Sequence, residues 1–343
     1  MRQEMAILMD SFRLLQARKL FWIALAISGM VALVYASIGF TDTGMSVGFG
    51  MKEVESPLIR KGTPESEAFY LLLFTDMIVR FWLAWFAVVL AVVSCASIFP
   101  EFLKPGSIEV FLSKPIGRMR LFFWKYIGSL LFVAVQVALL TVIVFIAIGL
   151  RLGEWNLSVF WAVPIVTFVF SLVYCVAVLI GVATRSTLFS LLGAILFWGM
   201  TLMLQWSEDV LYKFAYMMPE LQMQVDVQTG QVSESTEKPG EGALAKAHAS
   251  VKAIAAPLPK TRDCTMFLKR LIKFQKRDSM LAGVDLGLLL SGGDMPTADK
   301  KIYEKAAKAY EKRHSAFYVF GTSALFELAV LALAGVLFVR RDY

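Results

Sequence analysis

The chain has 343 residues, with 34 Lys plus Arg against 27 Asp plus Glu and a net charge of +7. Hydrophobic residues make up 58%, charged residues 18%, and mean hydropathy is +0.65, where soluble domains run about 45–50% apolar and about 25% charged. This composition excludes a disordered chain, a disulfide scaffold and an ordinary soluble enzyme, and points to solvation by lipid.

The N-terminus opens the pattern. On the helical period, Met5, Leu8, Met9, Phe12 and Leu15 share one face, and Arg2, Asp10 and Arg13 take the other. This predicts an amphipathic interface helix over residues 1–19. A bilayer core about 30 Å thick takes about 20 helical residues. Six runs qualify: Leu20–Phe40, Met77–Phe99, Ile127–Leu150, Leu157–Ala183, Leu188–Trp206 and Phe317–Val339. All are expected to be helical, because lipid offers no partner to a free backbone group. The first run is longer than a cleaved signal core and follows a tail holding Glu4 and Asp10, so it is expected to be retained. The third run should start earlier, since Leu121–Tyr126 is also apolar. Its Trp124 and Tyr126 read as an interface belt. Pro164 should kink the fourth helix or mark its true start. Near the second helix's start, Asp76 is spaced to pair with Arg80.

Short loops set the orientation. Arg2, Arg13, Arg18, Lys19, Lys104, Lys114, Arg118, Arg120, Arg185, Arg340 and Arg341 fall on one side; Lys52, Arg60, Lys61 and Arg151 fall on the other. Both termini are therefore expected in the cytoplasm, in a multi-pass protein of the cytoplasmic (inner) membrane. The fold class is an all-α polytopic membrane protein. Helices 1–5 occupy 20–206, an external loop or small domain 207–315, and helix 6 with a cytoplasmic tail 316–343. Within the long loop, Val225–Pro259 has little to bury and reads as mobile or loosely packed. Cys264–Arg277 is a basic amphipathic helix, with Phe267, Leu271 and Phe274 on one face, that packs on its own loop or lies on lipid. Thr297–His314 reads as a solvated helix. No internal repeat is visible.

Catalytic and cofactor signals are missing. No phosphate loop, zinc spacing or nucleophile elbow occurs in the sequence. Cys95, Cys175 and Cys264 form no disulfide or metal pattern and read as small core residues. His248 and His314 read as solvated surface residues. Basic residues cluster at the ends of apolar runs, which argues against a nucleic-acid partner. No cofactor is expected in this chain, and no enzymatic activity.

The second cytoplasmic loop is the informative stretch. From residue 100 it reads PEFLKPGSIEVFLSKPIGRMRLFFWK. Pro105-Gly106 makes a turn, Ser107 can cap a short helix over Ile108–Leu112, and Pro115 ends it. Ile108, Val110, Phe111 and Leu112 are too apolar for a short solvated loop. They either meet a partner protein or pack on the chain's own helix ends.

Here the chain resembles the membrane subunit of type-2 ABC exporters. The family's loop pattern is matched by Glu101, Gly106, Ile108–Phe111, Leu112-Ser113-Lys114-Pro115, Arg118 and Lys125. Its FxRRD ending is matched by Phe338-Val339-Arg340-Arg341-Asp342. Leu211–Pro219 is a weaker match, and the long fifth loop departs from the family. The resemblance implies a permease half lacking its own ATPase, paired with a second permease subunit (homodimer or heterodimer) and cytosolic ABC ATPase subunits that bind the ATP. Loop 100–120 would then be a coupling loop, with Glu101, Gly106, Ile108, Glu109, Phe111, Ser113, Pro115 and Arg118 at the ATPase interface.

Two rival functions make other demands on the chain. An ion-coupled secondary transporter would want several intramembrane ionisable residues and an inverted repeat. A non-transporting anchor or assembly factor would use the membrane part only to display the long loop. The main intramembrane acid is Glu327, mid-span in the sixth helix. It lines a substrate path, or it fastens helices as a neutral acid bonded to a residue such as Gln136 or Thr141.

Overall fold

The computed structural model describes residue 13 and residues 19–56, 59–104, 106, 117–153, 155–212, 223–225, 232–234, 243–272 and 314–340. The amphipathic helix expected over 1–19 therefore lies outside the described residues, apart from Arg13 and Lys19. Thr297–His314 lies outside them apart from His314, as do the last three residues.

Helix α1 spans Lys19–Ser37. It stops short of the expected Phe40, because Gly39–Phe40 begins strand β1. Strands β2 (Gly44–Val47) and β3 (Lys52–Glu55) complete an antiparallel meander in the order β1-β2-β3. The chain is mostly helical, as expected of an all-α membrane protein, and this small sheet is an addition that the sequence did not announce. Its cause is local: Gly48 and Gly50 supply the positive φ of a tight turn between two short strands.

The second span begins much earlier than Met77. Thr63 caps helix α2 (Pro64–Leu73) by accepting from the backbone N–H of Ser66. The chain continues without a break through a π-helical stretch, Phe74–Phe86, into α3 (Ala87–Cys95). The side chains of Asp76 and Arg80, expected to pair, lie outside the described residues. A short α4 (Ile98–Phe102) leads to the second loop.

Helix α5 runs Arg118–Leu152, so the third span does start early, and Gly153 ends it in the left-handed conformation. A 3₁₀ turn (Leu157–Trp161) precedes α6 (Ala162–Thr184), so Pro164 lies in the first turn and marks a start rather than a kink. Helix α7 spans Thr187–Tyr212, six residues past the expected end. Strands β4 (Met223–Val225) and β5 (Val232–Glu234) pair as a hairpin. Helices α8 (Ala243–Ala255), α9 (Thr261–Leu271) and α10 (Ala316–Arg340) complete the described residues.

Among the described residues, five helices are long and apolar enough to cross a membrane: Pro64–Phe102, Arg118–Leu152, Leu157–Thr184, Thr187–Tyr212 and Ala316–Arg340. Trp22–Ser37 is a shorter apolar helix. At the bundle's centre stands α6, packed on α5, α7, α10 and α3. Lipid tails are as apolar as leucine, so close backbone approach and polar bonds must hold such helices together. Ser190 Oγ donates to Ala177 O at 2.6 Å. A Cβ on Gly181 would sit 3.2 Å from Pro100, so α6 meets α4 through a bare backbone surface.

Two expectations about the long loop are corrected. Residues 243–259 are not loosely packed: Ala245, His248 and Ala255 are buried, and Gln205 Nε2 donates to Pro259 O at 2.9 Å. Helix α9 packs chiefly on the helices of the bundle. Cys264 and Leu268 are fully buried, and α9 rests on α6, α10 and the π-helical stretch. Alternating charges around an apolar stripe allowed either partner, and tertiary contacts chose the bundle end.

Candidate functional site

Three groups of residues stand out, one at each end of the bundle and one in its middle. The first frames the second loop. Phe102 closes α4, Phe122 opens α5 and Phe338 closes α10. Phe102 and Phe338 stack with ring centres 6.1 Å apart, and Phe122 lies 5.6 Å from Phe338 and 5.1 Å from Phe99. Phe338 is fully buried. The Lys125 ammonium sits 5.5 Å over the Phe102 ring, a cation–π contact deep in the chain. Arg118 Nη1 donates to Val339 O at 3.2 Å. A Cβ on Gly335 would come 3.0 Å from Met119 Sδ, so α5 and α10 nearly touch. Both roots of the loop are thus fastened to the end of α10.

Of the proposed interface residues, three lie in this frame. Glu101 is half-buried in α4, Gly106 is exposed with φ +82°, and Arg118 begins α5. The positive φ at position 106 is the turn that the sequence predicted there, and it suits glycine. Ile108, Glu109, Phe111, Ser113 and Pro115 lie outside the described residues.

The second group surrounds Glu327. Tyr126 Oη donates to Glu327 Oε1 at 2.7 Å, and Ser171 Oγ donates to Glu327 Oε2 at 2.9 Å. Glu327 is therefore bonded across α5 and α6, and Gln136 and Thr141 are not the partners. Thr141 instead donates within its own helix, to Val137 O. Tyr126 is fully buried, so it does not belong to an interface belt. Beside it, Tyr126 and Tyr174 stack at 5.5 Å, and Tyr174 shares a 2.9 Å hydrogen bond with Ser129. A tyrosine turned inward can satisfy its hydroxyl only on a partner, and the acid of α10 supplies one.

The third group closes the opposite end. Glu208 and Asp209, at the end of α7, are buried. Asp209 pairs with Arg262 of α9. His248 of α8 and His314, two residues before α10, both point Nε2 at Glu208 Oε1, at 3.9 and 3.8 Å. His314 Nδ1 meets Asp263 Oδ2 at 2.8 Å. The histidines are therefore buried or half-buried, not solvated. Trp198 Nε1 donates to Thr261 Oγ1, and Lys260 N to Ser323 Oγ. Burial pulls the Lys260 amine below the ordinary lysine range, while Asp263 and Glu208 pull it back. Burial also pushes the Cys264 thiol up, which keeps it protonated and unreactive. Among the described residues no group of His, Cys, Asp and Glu is placed to hold a metal ion. The sequence reading missed this cap. Two adjacent acids directly after an apolar run, with the chain's only histidines downstream, were its one legible signal.

A family model described as "ABC-2 family transporter protein" matches residues 23–343. The chain belongs to the ABC-2 transporter family. It is a membrane-embedded permease-type component and not itself catalytic. No curated protein and no solved structure matches it. The matched range also includes the polar cap and residues 207–315.

Proposed function

We propose that this chain is the permease subunit of an ATP-driven exporter, with no ATPase of its own. It pairs with a second permease subunit in the cytoplasmic membrane and couples to a separate nucleotide-binding subunit through residues 100–120. Its termini and that loop face the cytoplasm. The observation that carries this reading is the frame around the loop: Phe102, Phe122 and Phe338 in one aromatic cluster, with Arg118 bonded to Val339 O. A push on the loop reaches α4, α5 and α10 together, because a packed cluster transmits displacement instead of absorbing it. From there the bonds of Glu327 to Tyr126 and Ser171 join α5, α6 and α10 halfway along the bundle. ATP-driven closure of the partner then moves these helices as one body. The short apolar helix that the sequence predicts over Ile108–Leu112, with its charged rim, suits a groove on such a partner.

The test is co-purification. Glu109→Arg combined with Phe111→Asp is expected to abolish recovery of the ATPase with the permease, while membrane insertion of the permease stays at wild-type level. Unchanged recovery refutes the docking loop.

A further inference from the structure

The meander between α1 and α2 has an apolar tip in an unusual place. Strand β1 leaves the end of α1 and β2 comes back alongside it, pairing Gly39 with Ser46 and Phe40 with Met45. Continuing that antiparallel course brings the β2–β3 turn back to the last turn of α1. The Phe49 N–H donates to Ser37 O at 3.0 Å, which fixes the depth. The nineteen-residue α1 is about 28 Å long, close to the hydrocarbon thickness of a bilayer. Residues 48–51 therefore stand level with the last turn of α1, and the opposite turn, with Asp42, lies at the other end of the meander.

The chemistry of the tip matches that depth. Phe49 is 67% and Met51 is 85% exposed. Phe49 also has φ 57°, between Gly48 at 70° and Gly50 at 97°. An aromatic residue in the left-handed region is strained, and glycine would fit the turn with less strain. One turn earlier on α1, Leu33 and Val34 are exposed as well. At the same level Arg151 Nη2 donates to Ala36 O, which sets a cation beside the last turn of α1.

We propose that the β2–β3 tip is a lipid anchor, with Phe49 and Met51 inserted into the leaflet at which α1 ends and Lys52 at its phosphates. The occupant is lipid because the tip continues the exposed apolar side chains of α1, an apolar helix about as long as a bilayer's hydrocarbon layer is thick, and is bonded to its last residue. The anchor ties the first loop to the membrane, so α1 and the sheet move together.

Spin labels test it. Full-length Phe49→Cys and Met51→Cys are reconstituted in phosphatidylethanolamine–phosphatidylglycerol nanodiscs and compared with Val34→Cys, Asp42→Cys and Glu53→Cys. The native cysteines are buried, so labelling is confined to the new site. Labels at 49 and 51 should resemble 34, with an oxygen-to-nickel collision ratio several-fold above that at 42 and 53. A ratio equal to that at 53 overturns the proposal. So does exclusion of both colliders with dipolar broadening between labels, which would seat the tip on a second copy. Met51→Cys leaves the strained position intact, so its result decides if Phe49→Cys fails to fold.

Discussion

Glu327 offers the sharpest test of how this bundle is held. Tyr126 and Ser171 each contribute one hydroxyl proton, and each also reaches a carbonyl: Ser171 O at 3.2 Å for Tyr126 and Phe168 O at 2.8 Å for Ser171. In Glu327→Leu both hydroxyls keep those carbonyls, so no buried donor is orphaned. The loss is then two interhelical bonds, each worth about 0.6 kcal/mol on average and at most about 1.7 within membranes. Glu327→Leu should therefore destabilise the purified chain by about 1–3 kcal/mol and still assemble. A double-mutant cycle with Tyr126→Phe, read by denaturant unfolding in micelles, should show about 0.6–1.7 kcal/mol of coupling between the pair. Zero coupling, or no folded Glu327→Leu at all, would refute the clamp. Glu327→Gln keeps size and bonding capacity and should assemble fully. If clamping is its whole role, substrate-stimulated ATP hydrolysis by the complex stays at wild-type level. A fall with assembly intact would assign the acid to the substrate path.

Further outcomes are expected elsewhere. Ser250→Cys, exposed on α8, should react with an impermeant maleimide from outside the cell; labelling only from the cytoplasmic side would invert the topology. His248→Ala with His314→Ala removes both imidazoles from Glu208, so hydrogen exchange across residues 243–272 should quicken, by about tenfold for a loss of about 1.4 kcal/mol; unchanged protection would show that the imidazoles do not hold the cap. Gly44→Ala would place a Cβ 2.2 Å from Val54 O, so it should unpair β2 from β3 and expose residues 44–55 to protease. An intact, protected meander in that variant would refute the pairing.

The spans were legible because one term dominates them. A run of twenty apolar residues has a single stable solution in lipid, so the cores of the helices and the early start of α5 followed from the chain alone, while the structure chose between the two roles open to Pro164. The turn at Gly106 was legible for a similar reason, since a glycine acts on its own backbone. Residues that act at a distance were not legible. Tyr126 looked like an interface aromatic until α10 brought Glu327 to it, and nothing in the spacing of 126, 171 and 327 announces that meeting. His248 and His314 looked solvated because burial of a polar side chain depends on partners far away in sequence, here Glu208 and Asp263. Apolar period and turn chemistry are local and survive in a linear reading. Hydrogen-bond partners between helices are set by how the helices rotate and cross, which only the packed bundle decides.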